Sequence, residues 1–376
     1  MKVPFNKPHL TGKELHYISE AHASLHLSGD GQFTKKCQAW LEERIGCKKA
    51  LLTYSCTAAL EMAAILAGIE AGDEVIMPSY TFVSTANAFV LRRGIPVFVD
   101  IRPDTLNIDE AKIEAAITDK TKAIVPVHYA GVACELDSIV DIAKQYNLLV
   151  IEDAAQAIMS RFRGQPLGST GHLACLSFHE TKNLISGEGG ALLINEPRFI
   201  EHAEIVWEKG TNRKKFFRGE VDKYTWIEIG SSYLPSEIMA AFLWAQMEKA
   251  ESLTRQRLMI WDWYHNAFAD LEKQGNVRRP VIPSDCEHNA HMYYLLLPDL
   301  RIRNLMLEKL KRSDINAVFH YVPLHSSPAG RKYGRAHGSL SHTEEISERL
   351  VRLPLWIGMT EDDLQQVAEA VDEALS

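Results

Sequence analysis

Six short apolar runs, residues 74–77, 96–99, 123–127, 148–152, 174–178 and 191–194, alternate with segments of helical periodicity. No other feature restricts the fold as strongly. Runs that are apolar at nearly every residue must be buried on both faces, and the helices between them supply the cover. The pattern predicts an α/β fold built on a large, mostly parallel sheet. Residues 84–91, 108–117 and 136–146 are the expected connecting helices. In the last, Leu136, Ile139, Val140 and Ala143 make an apolar stripe that suits a core. Residues 50–54 read as a further strand, and 58–66, rich in Ala, Leu and Met, as a helix. Helices are also expected near 12–25 and 38–45.

Past residue 200 the pattern changes. Residues 210–232 are irregular and basic, with Arg213, Lys214, Lys215, Arg218 and Lys223 following Lys209. Two readings stay open for them: a solvated loop, or an arm that meets phosphates or a second subunit. The run from 236 to about 271 contains neither Pro nor Gly and reads as one long helix. It is expected to join a large domain, 1–250, to a smaller C-terminal α/β domain, 251–376. Strands at 292–297 and 318–322 and helices at 305–312, 343–350 and 361–375 would build the latter.

The 376 residues exceed one minimal core. A net charge of -8 argues against a nucleic-acid or anionic-membrane surface, so neither is an expected partner. The cysteines at 37, 47, 56, 134, 175 and 286 make no close pair at metal spacing, and no HExxH pair occurs. No metal is expected. Reduced thiols, an N-terminus without an apolar core and the lack of a run of transmembrane length point to the cytoplasm.

Four loops fall at the ends of expected strands, where ligands sit in open α/β sheets. In Ser177-Phe-His-Glu-Thr-Lys182, a strand delivers a lysine, and glycines in Gly187-Glu-Gly-Gly190 turn the chain back. A lysine with a lowered pKa attacks carbonyls; a solvated lysine does not. In Ser55-Cys-Thr57, hydroxyls and N–H groups at a helix start suit an anion, or Ser55 merely caps the helix. In Ile151-Glu-Asp-Ala-Ala-Gln156, Asp153 could cap a following helix or hold a protonated ring nitrogen. In Pro78-Ser-Tyr-Thr-Phe-Val83, Tyr80 or Phe82 could stack on a flat ring or fill the core. Together the four loops are the protein parts of a pyridoxal 5′-phosphate site.

Here the sequence resembles the DegT/DnrJ/EryC1/StrS sugar aminotransferases. The matching stretches are Tyr54-Ser-Cys-Thr-Ala-Ala-Leu60, Met77-Pro-Ser-Tyr-Thr-Phe-Val-Ser-Thr-Ala-Asn87, Val127-His-Tyr-Ala-Gly131, Glu152-Asp-Ala-Ala-Gln156, Ser177-Phe-His-Glu-Thr-Lys182 and Gly187-Glu-Gly-Gly190. The resemblance spans essentially the whole chain. It implies the aspartate aminotransferase-type fold (fold type I), pyridoxal phosphate as cofactor, and a homodimer with shared active sites. By position it implies that Lys182 carries the cofactor and moves the proton. Asp153 would pair with the ring nitrogen, Gln156 would meet the ring hydroxyl, and Phe82 would cover one ring face. Ser55, Cys56, Thr57 and Ser177 would hold the phosphate. Gly230-Ser-Ser-Tyr233 stands where the family has Gly-x-Asn-Tyr, so Ser232 replaces the asparagine that reaches a partner's phosphate. Lys209, Arg213 and His320 would contact substrate.

Narrower stretches, among them Gly29-Asp-Gly31, Lys209-Gly-Thr-Asn-Arg213 and Val318-Phe-His-Tyr-Val-Pro-Leu-His325, resemble one branch of the family. That branch makes dTDP-4-amino-4,6-dideoxygalactose for enterobacterial common antigen. The resemblance implies glutamate as donor and the sugar nucleotide dTDP-4-keto-6-deoxy-D-glucose as acceptor. The 4-epimeric product and amination at C3 stay open.

Overall fold

The computed structural model describes residues 2–375; Met1 and Ser376, the outermost residues of the two expected domains, lie outside them. An eight-stranded sheet forms the centre. Its order is Lys49–Thr53, Gly190–Ile194, Leu173–Ser177, Leu149–Asp153, Thr121–Ile124, Glu74–Pro78, Ile95–Val99 and Arg335–Ala336. Only Gly190–Ile194 runs against its neighbours; the other pairings are parallel.

Strand periodicity divides the apolar residues between two cores. Ala174, Leu176, Ala191 and Leu193 face one; Leu173, Cys175, Leu192 and Ile194 face the other. Full burial of each such leucine stabilises by roughly 2 kcal/mol. Cys56–Leu66 lies over the second core and is capped by Ser55, whose Oγ accepts the Ala58 N–H at 3.1 Å.

Several expected elements differ. The helix expected at 38–45 begins earlier, at Gln32–Ile45. Its N-cap is Gly31, which has no side chain to offer. The buried Glu237 carboxylate accepts the N–H groups of Gly31, Phe33 and Thr34 instead, at 3.0, 2.7 and 3.1 Å, and the Thr34 hydroxyl as well. The run 236–271 is three helices rather than one: Glu237–Met247, Ala250–Ala267 and Ala269–Lys273. The middle helix starts in the large core at Ala250 and Leu253 and ends in the C-terminal core at Ile260, Trp261 and Tyr264.

Residues 318–322 form no strand. Val318 makes one bridge, to Arg352, and the chain then leaves the ladder. The strand that pairs with Tyr293–Leu296 is Leu350–Leu353, which follows the helix Ser341–Arg349. Residues 108–117 split into the short turns Glu110–Lys112 and Ile113–Ala116. The two cores also exchange segments. Val3 packs in the C-terminal core, while Leu324 and Leu340 pack in the large one and Arg335–Ala336 joins the large sheet. No helix among the described residues is long and apolar enough to cross a membrane.

Candidate active site

The four loops meet at the carboxyl edge of the sheet, where parallel strands leave a crevice. Asp153 ends its strand, buried. Its Oδ2 accepts the Thr85 hydroxyl at 2.7 Å and its Oδ1 accepts the Ala155 N–H at 3.2 Å. Thr85 also lies 2.8 Å from the Thr81 hydroxyl. Burial pushes the Asp153 carboxyl above its ordinary range, against the pull of Thr85, Ala155 and Lys182. A cationic ring nitrogen arriving here would meet a carboxylate short of positive partners. The alternative role of a helix cap is removed, because residues 154–160 form turns. The Asn289 amide accounts for that by donating to the carbonyls of Gln156 and Ile158, both at 2.8 Å. The preceding residue, Glu152, anchors the strand. Burial pushes its carboxyl up, but His128 at 2.8 Å and the N–H groups of Gly171 and Gly168 hold it below its ordinary range.

Lys182 sits on the loop closed by the Glu180 N–H to the Gly187 carbonyl at 2.8 Å. Its amine is pushed below the ordinary lysine value by desolvation and by the Arg352 charge, while Cys56 and Asp153 oppose the shift. Among the described residues no hydrogen bond or ion pair engages this amine. A desolvated, unpaired amine beside a carboxylate is equipped to act as nucleophile and proton carrier.

Around the pair stand His320, Gln156, Phe82 and Tyr80, which the sequence singled out, and His291, Asn183, Tyr129 and Tyr321, which it did not. His291 Nδ1 lies 2.9 Å from Asn183 Oδ1, next to Lys182 in the chain. Tyr129 Oη lies 2.6 Å from His320 Nδ1, and the His320 ring stacks on Tyr321 at 3.6 Å between centroids. Burial pushes both histidines well below their ordinary pKa, so both are neutral. Gln156 accepts the Ala130 N–H at 2.7 Å and donates to Tyr321 at 2.9 Å, which leaves one amide N–H for a ligand. The Phe82 ring is exposed, 6.4 Å from Tyr321, whereas Tyr80 is buried in the aromatic cluster.

At the phosphate end, the Ser55 hydroxyl is occupied as the cap. The N–H groups of Cys56 and Thr57 are in the first turn of their helix and have no intrahelical partner. Thr57 Oγ1 lies 2.7 Å from Ser84 Oγ, and Ser177 Oγ accepts the His179 N–H at 3.4 Å. Gly190 lets the backbone close in: a Cβ there would lie 2.4 Å from the Cys56 nitrogen. This donor set fits a pyridine ring carrying a phosphate: N–H donors at a helix start, a carboxylate for the ring nitrogen and a free amine.

Lys209, Arg213 and Ser232 fall outside the cluster. Lys209 pairs with Glu208 at 3.1 Å, and the Arg213 guanidinium covers Phe217 at 5.1 Å. Ser232 bridges Glu208 and is exposed. The same segment exposes Trp226, Ile227 and Ile229.

The family model of the DegT/DnrJ/EryC1/StrS aminotransferases matches residues 8–372. The chain belongs to this family. It is 37% identical to the uncharacterized protein MJ1066 of Methanocaldococcus jannaschii, over 92% of this chain and 91% of that protein. It is 33% identical to the GDP-perosamine synthase of Caulobacter vibrioides, over 98% and 97%. The putative sugar aminotransferase Spr1654 from Streptococcus pneumoniae, in its PMP form, superposes with a TM-score of 0.91 at 25% identity, over 99% of both chains. The protein is a pyridoxal phosphate-dependent sugar aminotransferase of fold type I.

Proposed function

We propose that this aminotransferase moves an amino group from glutamate to C4 of dTDP-4-keto-6-deoxy-D-glucose, giving dTDP-4-amino-4,6-dideoxy-D-galactose for a cell-surface polysaccharide. The observation that carries the chemistry is the desolvated, unpaired Lys182 amine beside the buried Asp153 carboxylate. The choice of acceptor rests on the stretches at 29–31, 209–213 and 318–325 that resemble the enzymes making this aminosugar.

When bound, pyridoxal phosphate supplies an electron sink. Asp153 keeps the ring nitrogen protonated. Lys182 carries the cofactor, and its freed amine takes the proton from the donor carbon and delivers one to C4 of the sugar. Gln156 faces the ring hydroxyl and Phe82 covers the ring. Ser55, through its cap, orients the Cys56 and Thr57 N–H groups toward the phosphate, with Ser177 beside them. His320 faces the sugar. Lys209, Arg213 and Ser232 act in the partner's site of a homodimer, where cations meet the diphosphate. The exposed apolar side chains of that segment support this assignment. The domains divide near residue 250, apart from the exchanged segments.

The similarity to a GDP-perosamine synthase favours a second reading, in which the acceptor is GDP-linked. One experiment separates the two. Purified enzyme is incubated with glutamate and either ketosugar nucleotide, and the C4 configuration is assigned by NMR. A galacto-configured dTDP-aminosugar is expected. A gluco product, or turnover with the GDP sugar alone, would replace the reading.

A further inference from the structure

We propose that Asn289, together with Asn183 and His291, forms a bracket that positions Lys182 against Asp153, so that the amine and the carboxylate meet opposite ends of one ring. The inference concerns the cofactor site and stands whichever sugar is the acceptor.

The sheet fixes only part of that separation. Asp153 pairs with Cys175 in the ladder, and the ladder ends at Ser177. Lys182 lies beyond it, on a loop that closes on itself through the Phe178 N–H to Gly189 and the Glu180 N–H to Gly187. Gln156 likewise lies past its strand end, among turns. Residues 289–291 join the two loops.

Asn183 follows Lys182 directly and is buried. Its Nδ2 donates to the Asn289 carbonyl at 2.7 Å. A carbonyl can only accept, so Asn183 Oδ1 is the atom that faces His291 Nδ1 at 2.9 Å, and that nitrogen carries the proton. The fully buried Asn289 side chain takes the other loop. Both Nδ2 protons are used, on the carbonyls of Gln156 and Ile158, each at 2.8 Å, and Oδ1 accepts the His291 N–H at 3.0 Å.

The bracket is held stiff from outside both loops. Ala290 has φ +51°, a left-handed conformation that an alanine keeps only where its surroundings over-determine it. The buried Arg257 guanidinium is part of that constraint, donating to the carbonyls of Ala290 and His291 at 3.0 and 2.8 Å. Gly131 leaves room beside it, since a Cβ there would overlap Asn289 Oδ1. The segment then enters Tyr293–Leu296 of the C-terminal core, to which neither loop belongs. Reacting groups keep their geometry when the residues behind them are locked by hydrogen bonds of their own.

The test compares two cofactor forms on cofactor-free protein, titrated by absorbance. Pyridoxal phosphate engages Asp153 and bonds to Lys182. Pyridoxamine phosphate has the same ring and phosphate but cannot bond to Lys182, so it does not sense the separation. In Asn183→Ala and in Asn289→Ala, the Kd for pyridoxal phosphate should rise roughly 10-fold, the equivalent of one buried hydrogen bond left unmade. The Kd for pyridoxamine phosphate should stay within about 2-fold, and the double variant should be no worse than either single one, because cutting either end releases the same bracket. The kcat at saturating cofactor should fall on the order of 10²-fold, as it does when a reacting group is misplaced by about 1 Å. His291→Asn, whose amide can replace the Nδ1 proton, should resemble wild type, and His291→Leu should resemble Asn183→Ala. Equal weakening of both cofactor forms would make these residues supports of the fold alone and overturn the proposal. Effects that add in the double variant would overturn it too, as would wild-type behaviour in either single variant. If Asn289→Ala does not fold, Asn183→Ala and the two His291 variants decide by the same comparison.

Discussion

Replacing Thr85 by valine removes one proton donor from Asp153 while keeping the volume of the side chain. Thr85 is fully buried on the helix Val83–Val90, with its hydroxyl 2.7 Å from Asp153 Oδ2. After the change, Asp153 keeps only the Ala155 N–H, at 3.2 Å. A buried hydrogen bond to a charged acceptor contributes about 1.5–3 kcal/mol. That corresponds to roughly 10- to 100-fold in an equilibrium constant. Asp153 already stands above its ordinary pKa because of burial, and losing Thr85 moves it further up. A carboxyl with more affinity for its own proton holds a protonated ring nitrogen less well. Dialysed enzyme is titrated with pyridoxal phosphate by absorbance, and kcat is measured at saturation. Cofactor affinity, kcat or their product should fall by that factor. The cycle with Asp153→Asn isolates the contact: Thr85→Val should have little further effect once the carboxylate is gone. A Thr85→Val enzyme that matches wild type, or one equally impaired in the Asp153→Asn background, would refute the reasoning.

Lys182 gives a pH signature in the cofactor-free protein. Its folded pKa lies below the ordinary lysine value of 10.5, so between the two values the unfolded chain holds a proton that the folded chain has shed. Stability from this group therefore rises with pH through that window. Denaturation of wild type and Lys182→Met from neutral pH toward 10.5 should show the gap shifting in favour of wild type; parallel curves would contradict it. Glu237→Ala should destabilise the fold by about 3 kcal/mol in urea, because buried N–H groups of the first helical turn lose their acceptor. An unchanged midpoint would mean that another group caps Gln32–Ile45. Coexpression of Lys182→Ala chains with Arg213→Ala/Ser232→Ala chains should restore about half of wild-type activity per mixed dimer by site counting. Activity no higher than the sum of the parents would assign Arg213 and Ser232 to their own chain.

The strands were legible because apolar runs at nearly every residue leave a buried parallel sheet as their main outlet. Asp153, Cys56 and Lys182 stood out as candidates because each lies within four residues of the end of an expected strand. What the sequence hid was long-range. The acceptor that starts Gln32–Ile45 lies at Glu237, and the side chain that takes the carbonyls after Asp153 lies at Asn289. Residues 318–322 alternate like a strand, yet carry His320 and Tyr321 into the site. Arg352 had a signal: one charge inside Leu350-Val-Arg-Leu-Pro-Leu355, where a buried strand should have none. Thr85 had none, since a threonine in a helix is ordinary until its partner is seen.

The central claim is that Lys182 holds the cofactor, and borohydride reduction of the purified enzyme tests it most directly. After proteolysis and mass spectrometry, the reduced pyridoxal phosphate adduct should be found on the peptide containing Lys182 and on no other, and Lys182→Ala enzyme should carry no adduct and show no turnover. A label on a different lysine, or full activity in Lys182→Ala, would contradict the account.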